Sequence, residues 1–129
     1  MLDTNIVSDL IRDPAGRAAR RLRAHGDDGI CVSVITVAEL RYGVAKKGSA
    51  RLASRVEAVL SALDILPFDV PCDRAYGDIR ADLAARGEPI GPTDMFIAAH
   101  ATSLGLMLVT DNVREFGKVR GLKVENWLT

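Results

Sequence analysis

Nothing in this sequence provides a long apolar run. Polar or charged residues interrupt every stretch before the roughly 18 uninterrupted apolar residues that a membrane span needs. Met1-Leu2-Asp3 leaves no space for a charged region followed by an export signal, so a cytoplasmic location and no membrane partner are expected. Cysteine is scarce: Cys31 lies in a strand-like apolar run, Cys72 follows a proline, and neither has metal-ligand spacing, which predicts reduced structural thiols. His25 and His100 read as ordinary helix residues, and neither makes an activated-nucleophile signature with Ser8 or Ser33. A glycine-rich phosphate loop is missing. A phosphoacceptor signalling domain, which also uses an acidic pocket, needs a lysine closing a late strand, and Lys118 and Lys123 fall well past Val109-Thr110. Net charge is missing as well, with 17 basic against 17 acidic side chains, so overall charge gives no support for a nucleic-acid partner.

What is present is a chain of 129 residues, 48% of them hydrophobic, enough for one substantial core and too short for two ordinary domains. A single domain over residues 1–129 is expected. Charge is unevenly distributed. Residues 1–60 hold ten basic and seven acidic side chains, and residues 61–129 the reverse. Arg17, Arg20, Arg21 and Arg23 crowd one helical segment, while Lys46, Lys47, Arg51 and Arg55 gather around another. Such groups read as solvated helix faces that can also meet phosphates.

Met1-Leu2 reads as a strand stub running into a helix that Asp3 or Asn5 caps and Asp13-Pro14 ends. A second helix runs from about Ala15 to His25 and stops at Gly26-Asp27-Asp28-Gly29. Ile30 to Ile35 is short and β-branched enough for a buried strand. Thr36 with Glu39 three places on forms a capping-box signature for the next helix, which gives Glu39 a purely structural role to weigh. Leu52, Val56, Val59, Leu60 and Leu63 make a stripe for core or for a helix–helix interface. Strands at Ile65–Phe68 and Leu106–Thr110, helices over Asp73–Arg86 and from Thr93, a helical turn at Arg114–Phe116 and an edge strand over Gly121–Leu128 complete the reading.

Short strands alternating with helices predict an α/β fold, with a central, mainly parallel sheet between two helical layers. Every strand-to-helix junction of such a sheet falls on one edge, where sites form. Asp3, Glu39 and the segment Asp111 to Glu115 fall at such junctions. Asp94 sits at the mouth of an apolar helix, Met95 to Ala101, where an acid complements the helix dipole but where any first-turn acid would serve. Converging carboxylates repel one another, so either their pKa values rise or a cation neutralises them. Oxygen-only ligands suit Mg²⁺ or Mn²⁺, and phosphate-ester hydrolysis is the reaction that follows.

Leu2-Asp3-Thr4-Asn5-Ile6, Val37-Ala38-Glu39-Leu40-Arg41-Tyr42-Gly43, Ile90-Gly91-Pro92-Thr93-Asp94 with Ile97-Ala98-Ala99, and Val109-Thr110-Asp111-Asn112-Val113-Arg114-Glu115-Phe116 occur in the order of the motifs of PIN-domain ribonucleases. More narrowly the chain resembles the VapC toxins of bacterial toxin–antitoxin operons, from residue 2 to Asn126-Trp127-Leu128. The resemblance implies a metal-dependent endoribonuclease with an α/β/α sandwich, dimeric, and held inactive by an antitoxin. It implies catalytic acids at Asp3, Glu39 and Asp94, with Asp3 and Asp94 as direct ligands of Mg²⁺, for which Mn²⁺ substitutes. Many members carry an aspartate where this chain has Asn112, which supplies no charge. Glu115 is therefore assigned as the fourth acid and metal ligand, with Asp111 the weaker candidate. Thr4, Asn5, Thr110 and Asn112 are expected to hold the carboxylates in place, and Arg114 to touch substrate phosphate. The implied substrate is tRNA, at the anticodon stem-loop of the initiator species. Two other readings use the same residues: a PIN-fold RNA- or protein-binding module with little catalysis, and a housekeeping RNA-processing nuclease.

Overall fold

A computed structural model describes residues 1–26 and 29–129, so Asp27 and Asp28 of the expected turn after the second helix lie outside the described residues. The chain forms α1 (Thr4–Arg12), α2 (Arg17–His25), β1 (Cys31–Ser33), α3 (Val34–Lys47), α4 (Ala50–Leu60) and β2 (Asp64–Leu66). It continues through α5 (Cys72–Ala85), α6 (Pro92–Ser103), β3 (Leu108–Val109), α7 (Val113–Phe116) and β4 (Val124–Glu125). Among the described residues no helix is long and apolar enough to cross a membrane.

The sheet is parallel throughout. β1 pairs with β2, β3 pairs with β4, and Leu2 alone forms the lane between the two pairs, bridging Val32 on one side and Val109 on the other. The Leu2 N–H donates to Cys31 O at 2.9 Å, and the Asp3 N–H donates to Val109 O at 2.8 Å. The lanes therefore run β2–β1–Leu2–β3–β4. From the central lane the chain steps outward through β1 and β2, then returns to build β3 and β4 on the other side. Strand order reverses between Leu2 and β3, and the crevice at such a reversal is where open α/β sheets place their sites.

Alternation along these short strands divides the core. Leu2, Val32 and Val109 pack with Ile6, Val7 and Leu10 of α1, Ala18 and Ala19 of α2, and Val56 and Leu60 of α4. Met1, Cys31 and Leu108 pack on the other face with Ile79 and Leu83 of α5, Ile97, Ala98 and Ala101 of α6, and Phe116 of α7. This is the expected helix–sheet–helix layering. The stripe on α4 is mainly core: Val56 and Leu60 are buried, while Leu52 and Val59 are only partly so. Both cysteines are free and buried.

The strand at residues 30–35 and the helix after it differ from the sequence reading. α3 begins at Val34, because the Ser33 hydroxyl accepts the Ile35 N–H at 3.0 Å and so caps the helix three residues before Thr36. The Thr36–Glu39 capping box does not form. Glu39 sits well inside the helix with no capping duty, which leaves its carboxylate free for the crevice. Likewise, α6 starts at Pro92 rather than after a Thr93 cap, with Asp94 in its first turn.

Candidate active site

Asp3 ends the central lane and occupies the N-cap position of α1, in an extended conformation and with no side-chain capping bond. The helix therefore does not use its carboxylate. From the neighbouring lane, Thr110 Oγ1 donates to Asp3 Oδ2 at 2.7 Å, and the same oxygen accepts the Asn112 N–H at 3.0 Å. That second bond leaves the hydroxyl proton aimed at Asp3. Burial pushes the Asp3 carboxyl above its ordinary range, the Thr110 hydroxyl and the Thr4 backbone N–H pull it down, and the charges of Glu39 and Asp111 push it up again. Asp3 is only 4% exposed, so it depends on those donors to remain charged.

Asp94, on α6, faces an overlapping set of charges. Burial first, then Asp3, Glu39 and Glu115, raise its carboxyl to about 6. Glu39 reaches in from α3 and accepts from Thr4 Oγ1 at 2.6 Å. Asp111 accepts from Asn5 Nδ2. Asp3, Glu39, Asp94, Asp111 and Asn112 line one crevice of about 400 Å³ at the carboxyl edge, where strand order reverses. Glu115 on α7, the expected fourth acid, does not line it. It pairs with Lys118 at 3.6 Å and acts on Asp94 through its charge. Arg114, also on α7, is exposed and does not line the crevice.

Three lining residues, Ser8, Arg12 and Leu128, were not among the expected members of the acidic site. Ser8 and Arg12 follow Thr4 at intervals of four along α1, so these α1 residues share a helix face that borders the acids. That spacing was the available signal. Arg12 is the one basic residue on the crevice wall among the described residues. Ser33 and His100 do come together, but both are fully buried and neither lines the crevice, so they are not presented to a substrate.

Among the described residues no three carboxylate, imidazole or thiolate groups close to the spacing of a finished metal cage. The donor set nonetheless matches one class of cation. It consists of carboxylates, with Asn5 Oδ1 beside them buried and lacking a hydrogen-bond partner. Hard oxygen donors of this kind fit Mg²⁺, which takes one or two carboxylates and otherwise keeps its waters.

A family model described as PIN domain matches residues 1–122. The chain is 40% identical over 128 residues to the tRNA(fMet)-specific endonuclease VapC of Shigella flexneri, spanning 98% of this chain and 96% of that protein. It is 43% identical over 129 residues to ribonuclease VapC2 of Haemophilus influenzae, spanning 99% and 97%. Among solved structures, VapBC2 from Rickettsia felis bound to a DNA fragment from its promoter superposes with a TM-score of 0.91 at 36% identity, over 98% of this chain and 97% of that one. DNA-bound VapBC from Salmonella typhimurium superposes with a TM-score of 0.89 at 38% identity, over 98% and 96%.

Proposed function

Because this chain belongs to the PIN domain family, with VapC ribonucleases as near-full-length relatives, we propose that it is the Mg²⁺-dependent endoribonuclease toxin of a toxin–antitoxin pair. Residues 1–129 act as a single domain. The observation that carries the reading is the convergence of Asp3, Glu39, Asp94 and Asp111 on one crevice at the strand-order reversal. Four acids close together destabilise a fold, and a site that brings a cation to a phosphodiester makes use of them.

In this reading Asp3 and Asp94 hold the cation, Mg²⁺ or in substitution Mn²⁺, with Glu39 as further ligand or water orienter. When bound, the cation lowers the pKa of a water and offsets charge on the oxygens around phosphorus. The protein's residues supply the geometry. Thr110 keeps Asp3 charged and pointed into the crevice, and Thr4 fixes one oxygen of Glu39. Asn5 steadies Asp111, Asn112 holds the Thr110 hydroxyl in register, and Glu115 completes the acidic set. Arg12 at the crevice wall and Arg114 outside it meet backbone phosphates of the substrate.

The proposed substrate is tRNA, cut in the anticodon stem-loop of the initiator species, so that translation stops. A relative named as a tRNA(fMet)-specific endonuclease supports that choice. The proposed partners are a cognate antitoxin, supported by neighbours solved as VapBC assemblies, and a second copy of this chain. Purified protein free of antitoxin, incubated with a mixed tRNA pool, should give defined fragments with Mg²⁺, and none with EDTA or after Asp94→Asn. A folded, cation-binding protein that leaves every tRNA and a total RNA pool intact would favour the binding-module reading instead.

A further inference from the structure

Ser33 and His100 lie 67 residues apart, are both fully buried, and meet through Ser33 Oγ and His100 Nδ1 at 2.8 Å. Because Ser33 Oγ already accepts the Ile35 N–H, its own proton is free to go to Nδ1. The ring proton then sits on Nε2, which has no hydrogen-bond partner among the described residues. Phe68 packs edge-on against the ring with centroids 5.4 Å apart. Among the described residues this is the one side-chain hydrogen bond that joins α3 or its cap to α6.

Its place in the two helices gives it a second consequence. Ser33 caps α3, which carries Glu39 six residues further on, and His100 stands on α6 six residues after Asp94. Each acid thus lies about 9 Å along a helix from the shared bond, at about 1.5 Å per residue. A buried polar pair adds little net stability over a well-packed apolar one, but it has one geometry where apolar contacts tolerate several.

We propose that the Ser33–His100 bond is a clasp that sets α3 against α6 and thereby sets the separation of Glu39 from Asp94, making both residues positioning residues for the acidic site. The proposal rests on the nuclease reading above. The test uses the full chain carrying His100→Leu, His100→Asn, Ser33→Ala, and Ser33→Ala with His100→Leu. Mn²⁺ affinity is read by electron paramagnetic resonance, and kcat and KM are read on tRNA, with circular dichroism confirming the fold.

Ser33→Ala and His100→Leu should each weaken Mn²⁺ binding about tenfold, the low end of the effect of residues that orient metal ligands. Each should lower kcat while leaving KM within about twofold. His100→Asn, whose amide oxygen replaces Nδ1 as acceptor, should return both quantities to within about threefold of the parent. The double variant should be no worse than the worse single one, because both remove the same bond.

Folded single variants with unchanged Mn²⁺ affinity overturn the clasp, as do losses that multiply in the double variant. An asparagine variant as impaired as the leucine one overturns it too, by showing that ring packing alone matters. Should His100→Leu fail to fold, His100→Phe, which keeps a ring and the Ser33 cap but removes the acceptor, takes its place, because Ser33→Ala also removes the cap of α3. A parent protein that binds no Mn²⁺ and cuts no RNA overturns the nuclease reading and the clasp with it. A parent that does both, beside unimpaired variants, overturns only the clasp.

Discussion

Thr110 Oγ1 donates to Asp3 Oδ2 at 2.7 Å across adjacent lanes of the sheet, so the strand after α6 stabilises an acid near the start of the chain. The bond spans the point where strand order reverses. Thr110→Val keeps the shape of the side chain and removes the donor. Asp3 should then hold its proton more tightly. Mn²⁺ affinity should fall about tenfold at the lower of two pH values and recover at the higher, because the protonated fraction of Asp3 falls as pH rises. A deficit of equal size at both pH values would assign Thr110 a geometric role with no effect on ionisation.

The carboxyl of Asp94 titrates at about 6 in the folded protein, above the ordinary carboxylate value of about 3.9. A pKa raised by folding means that the native state binds the proton more tightly than the unfolded one does. The resulting stabilisation is complete below about pH 4 and is lost as pH rises through 6. Asp3 shifts in the same direction. Metal-free protein should therefore lose stability between about pH 4 and 7. The Asp94 share is about 1 kcal/mol, allowing for its partial exposure, or about 3 °C in Tm. The difference between parent and Asp94→Asn melting curves across this range isolates that share, and parallel curves would refute it.

At pH 7.5 the same substitution should make the metal-free protein slightly more stable, since it removes one of the repelling charges. It should abolish the rise in Tm that Mg²⁺ gives the parent, because a ligand stabilises only the form that binds it. Cleavage should fall by about 100-fold or more with the loss of a ligand charge. A large drop in metal-free Tm would instead assign Asp94 a structural role.

Asp111 and Glu115 act on different members of the site, the first raising Asp3 and the second raising Asp94. Glu115→Gln should move the acid limb of the cleavage profile to lower pH, because Asp94 then ionises more easily. Asp111→Asn should leave the Asp94 titration in place. Nuclear magnetic resonance titration of the Asp94 carboxyl in both variants separates them, and an Asp94 shift caused by Asp111→Asn alone would reverse the assignment.

On α4, Val56 is 3% exposed while its neighbour Val59 is only partly buried. Val56→Glu places a charge in the core and should cost about 3 kcal/mol or more, whereas Val59→Glu should cost about 1 kcal/mol. Urea unfolding of the two variants reads the contrast. Equal costs would mean that this stripe is not divided between core and partly buried positions.

Much of the site was legible because its residues stand out against their local surroundings. Asp94 opens an otherwise apolar helix, and Asp3 and Asp111 each follow a run of strand residues directly. The onset of α3 was misread for a local reason: Ser33 and Thr36 are both good caps, and the hydroxyl that wins is the one held at the end of a buried strand. Glu39 thereby changes from half of a capping box to a free carboxylate. The pairing of Ser33 with His100 left no local trace. Nothing near either residue announces a partner 67 positions away.

By itself, the sequence determined the alternation of strand and helix and most of the faces that are buried, and it singled out Asp3 and Asp94 as acids set at the ends of apolar segments, because periodicity, turn residues and isolated charges act over a few neighbouring positions. Tertiary structure alone decided that Leu2 forms the central lane, that Thr110 meets Asp3, and that Asp111 lines the crevice while Glu115 does not. Those relations depend on which lane lies beside which. That order is fixed by burying both faces of the sheet at once, a condition that no local stretch of chain can express.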